Sequence, residues 1–172
     1  MQENQEIIYR HKNNYSLEEH IRFEEFSFRL SKKWKFVAKR ALFFFGLAVA
    51  LFVALVIKGS IKATDLILPG VMVAAAIIVI ASNGPMGRKI SWKLNEGVHN
   101  MEQQYNFYND CFEYITPQGG ITIAYSDIYH VGETANNIYI MLNPQQGMSL
   151  VKNKCPGGLS AFLKMKFEET HS

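Results

Sequence analysis

The sequence predicts an α+β membrane protein, in which a two-helix transmembrane hairpin precedes a small antiparallel β-barrel or sheet capped by a C-terminal helix. Three observations lead to this fold class. Residues 41–57 and 66–81 contain no charged residue, although the chain has 18 basic and 15 acidic residues. Between residues 105 and 151, short segments rich in β-branched and aromatic residues alternate with turn sequences. Residues 159–167 then carry apolar residues at helical spacing.

The two uncharged runs have the length and composition of membrane spans. Ala41–Ile57 contains nothing more polar than Gly46, and Leu66–Ala81 has Pro69 and Gly70 only near its start, where a helix tolerates them best. A bilayer core about 30 Å thick needs roughly 17–25 helical residues. The rest of this chain is also too small to bury the apolar surface of two helices that are apolar on every side. We therefore interpret both runs as membrane spans.

The basic residues predict how the hairpin is oriented. Residues 29–40 carry six bases and no acid, whereas only Lys58 and Lys62 lie between the spans. Because excess Lys and Arg marks the cytoplasmic side, we expect both ends of the chain in the cytoplasm, a short external turn at residues 58–65, and anionic inner-leaflet lipids as partners. The predicted membrane-interface residues, all basic or aromatic, are Arg29, Lys32, Lys33, Trp34, Lys35, Lys39, Arg40, Arg88, Lys89, Trp92 and Lys93.

Small residues recur every fourth position in both runs. They are Gly46, Ala50 and Ala54 in the first run and Gly70 and Ala74 in the second. Such residues let helix backbones approach closely within lipid, so we predict that they pack the two helices together. The alternative is that the first set mediates dimerisation. Neither run contains an ionisable residue, which argues against transport.

The N-terminal region predicts a strand and a helix. Residues 3–12 have the character of a short strand, and Ser16-Leu17-Glu18-Glu19 is a capping box that begins a helix. With no Gly or Pro before the first span, one long helix is expected over residues 17–57. We accordingly predict three parts, namely residues 1–40 with the strand and a basic amphipathic helix, residues 41–82 with the hairpin, and residues 83–172 with a helix and the β domain.

The region after the hairpin predicts a helix at residues 86–102, six strands and a final helix at residues 159–167. Explicit turns, such as Pro117-Gln118-Gly119-Gly120, separate the strands. The predicted strands are Tyr105–Tyr108, Cys111–Thr116, Ile121–Tyr125, Ile128–Glu133, Ile138–Leu142 and Met148–Val151. An antiparallel meander closed by a C-terminal helix is the outline of a pleckstrin-homology-like barrel.

One family shares these features. The residues that carry the likeness are Cys111–Thr116, Gly120, Ile123–Ile128, Val131, Glu133-Thr134, Ile138–Ile140 and Val151–Cys155. In them the chain resembles the YcxB-like proteins of bacteria, although the family usually has Trp at the position of Tyr125 and Phe at that of Cys155. The resemblance implies a multi-pass protein of the bacterial cell membrane with a pleckstrin-homology-like domain. It implies no chemical activity.

The residues that could carry chemistry do not form a catalytic pattern. The five histidines are scattered, and Cys111, which could pair with His130, lies inside a predicted strand and is better explained as a structural thiol. Residues 103–151 contain no Lys or Arg, which argues against nucleic-acid binding. We expect no catalytic residues, no metal site and no cofactor.

Two classes of function stay open. The first is a non-enzymatic membrane protein whose cytosolic domain mediates protein interaction or scaffolding at the inner membrane, with Tyr129 and Tyr139 as the candidate partner surface. A specific version is an immunity protein against a membrane-active toxin. The alternative is a homo-oligomeric small channel or transporter component. The partner, the oligomeric state, and whether the N-terminal strand completes the β domain stay open as well.

Overall fold

The computed structural model describes residues 6–59 and 61–171, and the chain forms two compact units. The β unit combines Met1–Ser27 with Asn95–Ser172, and the helical unit is Phe28–Leu94. The helical unit therefore interrupts the β unit in sequence, at boundaries different from those predicted at residues 40 and 82. The predicted strand at residues 3–12 begins among residues 1–5, outside the described residues.

The β unit contains two antiparallel sheets. In the first sheet, the N-terminal strand β1 pairs with β2 from beyond the helical unit, with Tyr9 opposite Phe107 and Asn14 opposite Glu102. The N-terminal strand thus completes the β domain. The first sheet consists of β1 (Tyr9–Asn14), β2 (Glu102–Phe107), β3 (Cys111–Thr116) and β4 (Gly119–Ala124), and the second of β5 (His130–Glu133), β6 (Asn137–Asn143) and β7 (Gln146–Val151).

The two sheets do not close into a barrel. Each described strand pairs only within its own sheet, in the order of the sequence. Between β4 and β5 the chain makes a short 3-10 turn at Tyr125–Asp127, which ends the first ladder before the second begins. Of the two forms that the sequence predicts, the structure has open sheets rather than a barrel.

The core of the β unit lies between the sheets and under the last helix, α5 (Leu159–His171). Side chains that alternate along β2, β6 and β7 face this core, and Leu159 and Leu163 of α5 are fully buried against it. The buried apolar residues of the cluster are Tyr105, Phe107, Phe112, Ile123, Tyr125, Ile128, Ile138, Ile140, Met148, Leu150, Leu159 and Leu163.

Helix α1 (Leu17–Leu30) covers the other face of the second sheet. It begins at the predicted capping box, in which the Glu19 N–H donates to Ser16 Oγ at 3.3 Å and the Ser16 N–H donates to Glu19 Oε2 at 3.0 Å. Further along, the Phe26 ring stacks on Tyr139 with centroids 4.1 Å apart. It also lies over Gly132, where any Cβ would come within 2.2 Å of the ring. The first part of α1 therefore belongs to the β unit.

The prediction of a single long helix over residues 17–57 is wrong. Lys32 adopts a left-handed conformation, with φ 54°, that separates α1 from α2 (Lys33–Ile57). At the break, the Lys32 N–H donates to the Arg29 carbonyl and Ser31 Oγ donates to the Phe28 carbonyl. A lysine rarely takes this conformation, so its sequence does not reveal the break.

The helical unit has two helices that are long and apolar enough to cross a membrane. They are α2 and the stretch Ala63–Ser82, which consists of a 3-10 turn at Ala63–Leu66 and α3 (Ile67–Ser82). Only 11% of the most apolar stretch of each is buried within the protein. A short helix, α4 (Pro85–Leu94), follows α3 and is shorter than the helix predicted at residues 86–102.

Helices α2 and α3 pack together through a seam that the sequence analysis did not identify. The buried or half-buried residues of each helix recur at alternating spacings of three and four, a pattern typical of paired helices. They are Val37, Ala41, Phe44, Ala48, Leu51 and Leu55 of α2, and Pro69, Met72, Ala76 and Val79 of α3, with Ala75 beside Ala76 also half-buried. The buried positions are the small residues Ala41, Ala48, Pro69 and Ala76, and the larger side chains are half-buried beside them.

The predicted helix-packing residues lie elsewhere. Gly46, Ala50, Ala54, Gly70 and Ala74 are all exposed, and a Cβ added at either glycine would meet nothing within 4 Å. The prediction that they pack α2 against α3 is therefore wrong, because the seam runs along a different face of each helix. Their alternative use in dimerisation stays a prediction.

Candidate functional site

A cleft of about 420 Å³ opens into the β unit beside the N-terminal half of α1. Because the sheets are not joined into a barrel, side chains from both of them and from α1 reach it. We call it the inter-sheet cleft. Its lining residues are Tyr15, His20, Phe23, Asn95, Met101, Gln103, Tyr114, Ile121, Leu142, Gln146, Gly147, Met148 and Ser149.

The polar groups of the inter-sheet cleft form hydrogen bonds with one another. Tyr105 Oη, behind the wall, donates to Gln103 Oε1 at 3.0 Å, and Gln103 Nε2 donates to Tyr114 Oη at 3.0 Å. Elsewhere in the lining, Tyr15 Oη and His20 Nδ1 are 3.2 Å apart. The cleft therefore presents a mainly apolar surface with a few fixed hydrogen-bonding groups, the usual character of a binding pocket.

The titratable groups of the cleft are uncharged near neutral pH. Burial raises the pKa of Tyr15 and Tyr114 above the ordinary tyrosine value, and burial lowers the pKa of His20. An uncharged lining favours apolar or uncharged polar ligands over ions. The site is thus suited to holding an apolar group.

The two tyrosines of the predicted partner surface have opposite environments. Tyr129 is 51% exposed, whereas Tyr139 is 2% exposed. Tyr139 lies on the face of β6 opposite Ile138 and Ile140, and the Phe26 ring covers it. The expectation that Tyr139 is available to a partner is therefore wrong, since that sheet face is already occupied by α1.

The predicted membrane-interface residues flank the two uncharged runs, residues 41–57 and 66–81. Lys33, Trp34, Lys35, Lys39 and Arg40 lie on α2 from its first turn onward. Trp34 is 50% exposed. Arg29 ends α1, Lys32 forms the break, and Arg88, Lys89, Trp92 and Lys93 lie on α4.

A polar cluster around Glu133 links three elements of the β unit. The Glu133 carboxylate at the end of β5 forms ion pairs with Lys152 and with Lys164 of α5. Ser160 Oγ donates to the same carboxylate at 2.9 Å. These bonds lower the pKa of Glu133 to about 2, the lysine hydrogen bonds being the main cause. No local sequence pattern reveals the cluster, because Glu133, Lys152, Ser160 and Lys164 lie far apart in the chain.

This cluster predicts an acid dependence of stability. Because the folded state lowers the Glu133 pKa, its contribution is complete above the unfolded-state pKa of about 4.5 and is lost as the pH falls toward 2. Glu133→Gln should lower the unfolding midpoint at pH 7 and have little effect at or below about pH 2. Tyrosine near-ultraviolet circular dichroism of the full chain measures this, since all eight tyrosines lie in the β unit.

Glu169→Gln is the matched control, because Glu169 pairs with Lys166, three residues away on the same helix. It should change the midpoint little at either pH. An equal effect of Glu133→Gln at pH 7 and at about pH 2 would contradict the assigned role of the carboxylate.

No family model, no curated protein and no solved structure matches the chain. Within residues 6–59 and 61–171, no three His, Cys, Asp or Glu side chains are grouped to hold a metal ion.

Proposed function

We propose that this chain is a YcxB-like, two-span protein of the bacterial cell membrane, whose pleckstrin-homology-like β unit binds a protein partner on the cytoplasmic side. The function proposed is interaction or scaffolding rather than catalysis. The observation that carries it is the β unit itself. This unit is built from the segments before and after the two apolar helices, and it contains the mainly apolar inter-sheet cleft. The order of strands, four in one sheet and three in the next before α5, supports the pleckstrin-homology-like assignment.

The pairing of β1 with β2 supports the proposed topology. These strands lie on either side of the two apolar helices in sequence, yet they exchange hydrogen bonds along six residue pairs. Two strands of one sheet must lie on the same side of a bilayer, because unpaired backbone groups are not tolerated in lipid. The segment between β1 and β2 therefore crosses the membrane an even number of times or not at all.

The exposure of α2 and α3 supports crossing over the alternative of a soluble helix pair. Phe43 is 65% exposed, Ile57 is 80% exposed and Ile78 is 66% exposed. A helix that served as a soluble core would bury such side chains, because exposed apolar surface of this extent is unfavourable in water. The basic residues around Arg40 and Lys89 support a cytoplasmic β unit.

Thiol labelling tests the membrane topology. We expect Ile61→Cys, between the spans, to react with a membrane-impermeant maleimide in intact cells, because Ile61 is 46% exposed and faces outward in the proposed topology. Gln118→Cys, in an exposed turn of the β unit, should react only after lysis. The unaltered chain is the control for its native thiols, Cys111 and Cys155. The reverse pattern would exclude a cytoplasmic β unit, and removal from membranes by alkaline carbonate would exclude the spans.

Photocrosslinking tests the inter-sheet cleft as the partner site. Ile121 lines the cleft and is 53% exposed, whereas Tyr129 is 51% exposed and does not line it. A photoreactive residue at Ile121 should form an adduct with one heterologous protein, and Gln146→Trp, which fills the cleft, should abolish that adduct. Adducts only at Tyr129 would move the partner site away from the cleft. Adducts only with the same chain would favour the homo-oligomeric alternative.

A further inference from the structure

A groove of about 650 Å³ lies between α2 and α3, at the end of the pair where the uncharged run of α2 begins. Its lining is mixed, with two cationic side chains and four apolar ones. The lining residues are Phe36, Lys39, Arg40, Phe43, Phe44 and Val79. Those on α2 recur at i, i+3, i+4, i+7 and i+8, which places them along one side of the helix. We call this feature the basic groove.

The charged and apolar parts of the basic groove lie at different depths along α2. Lys39 and Arg40 are the last charged residues before the uncharged run. Phe43 and Phe44 lie about one helical turn further along, or about 5 Å. The Arg40 guanidinium lies 4.1 Å from the centroid of the Phe36 ring, an interaction that holds the charge at the mouth of the groove. The groove thus has a cationic mouth and an apolar floor.

The charge around the basic groove has one sign. Residues 28–40 and 82–94, which flank the two apolar runs at this end, carry nine basic residues and no acidic one. The one acidic residue of the helical unit, Asp65, lies before α3, at the opposite end of the pair. An anion at the mouth of the groove therefore meets no like charge from this unit.

We infer that the basic groove binds one anionic phospholipid, with its phosphate at Lys39 and Arg40 and the start of an acyl chain against Phe43, Phe44 and Val79. This inference rests on the proposed function, since it requires α2 and α3 to span the membrane. A free phosphate would use only the cationic mouth, whereas a phospholipid also covers the exposed aromatic floor. Its charge complements the cations, and its acyl chain buries apolar surface.

Native mass spectrometry of the detergent-solubilised full chain tests this inference. With phosphatidylglycerol and phosphatidylcholine titrated separately, the chain should retain one phosphatidylglycerol in strong preference to phosphatidylcholine. Lys39→Gln combined with Arg40→Gln should weaken that retention roughly thirtyfold, since two bases near an anionic head group together contribute about 2 kcal/mol. Phe43→Ala should also weaken it, whereas glycerol phosphate should not compete.

Two control double variants distinguish the effect of the groove from the effect of losing positive charge elsewhere on the helical unit. Lys58→Gln with Lys62→Gln removes two charges at the opposite end, and Lys89→Gln with Lys93→Gln removes two at the same end but outside the groove. Both should leave retention within about twofold of the unaltered chain. Equal weakening in all three variants, or no preference for phosphatidylglycerol, would overturn the inference. Carbonate extraction of the same variants shows separately whether the chain is integral to the membrane, which is the test of the proposed function.

Discussion

Gly147→Ala is expected to destabilise the β unit by roughly 3 kcal/mol. A Cβ at this position would lie 2.4 Å from the Ile140 carbonyl oxygen and 2.9 Å from the Met141 Cα. Both neighbours are backbone atoms of the paired strand β6, so no side-chain rotation can relieve the contact. The strands must move apart where the ladder is already irregular, between Met141 and Asn143. Forced overpacking of this kind usually costs 1–3 kcal/mol or somewhat more.

The two native thiols report this loss directly, because both lie in the β unit. Burial raises the pKa of Cys155 to about 11, so its thiol should react slowly until the unit unfolds. The urea midpoint of thiol labelling should fall for Gly147→Ala. Gly157→Ala is the matched control, since a Cβ there meets nothing within 4 Å, and it should stay within about 0.5 kcal/mol of the unaltered chain. Equal midpoints for both variants would contradict the assigned backbone contact.

Gly132→Ala is expected to be destabilising only while Phe26 is present. In the unaltered chain the new Cβ would come within 2.2 Å of Phe26 Cζ. The ring would have to leave its stack on Tyr139, which is held at 4.1 Å, at a cost of about 2 kcal/mol. Phe26→Ala alone should cost about 3 kcal/mol through lost burial and stacking.

The double variant Gly132→Ala, Phe26→Ala distinguishes two causes of destabilisation: the clash with the Phe26 ring, and a disruption of the strand that does not depend on Phe26. With Phe26 replaced by Ala, Gly132→Ala has room for its methyl group and should be neutral or slightly stabilising, because glycine weakens a strand interior. The same thiol-labelling midpoint gives the coupling energy, expected at about 2 kcal/mol. Gly157→Ala in the Phe26→Ala background should add nothing. Additive effects of Gly132→Ala and Phe26→Ala would show that α1 does not dock through this contact.

Local patterns in the sequence predict most of the β unit. All six strands after the helical unit are found near their predicted positions, because each is bounded by turn residues such as Asn109-Asp110 and Asn143-Pro144. The capping box at Ser16 also marks the start of α1 correctly. These features depend on neighbouring residues, and so they are visible in a single sequence.

Features that depend on distant contacts are not predictable in the same way. The break at Lys32 has no Gly or Pro, so one continuous helix is the natural expectation from sequence. The alternation along β6 places Tyr139 and Ile140 on opposite faces of the sheet. The alternation does not reveal that the Phe26 ring covers Tyr139. Likewise, Gly46 and Ala50 have the spacing of a packing face, whereas the seam uses Ala48 and Leu51. The inter-sheet cleft depends on how the two sheets stay apart, which no local pattern encodes.

The separation of β1 from β2 along the chain imposes an order on biosynthesis. Tyr9 leaves the ribosome well before Phe107, so β1 has no partner strand until both apolar helices have been made. With α2 and α3 in the membrane as proposed, a chain that inserted only one of them would leave β1 and β2 in different compartments. The first sheet would then lack its edge strand, and the exposed β2 backbone would be open to aggregation or proteolysis. In the proposed topology, completion of the first sheet therefore requires that both helices insert.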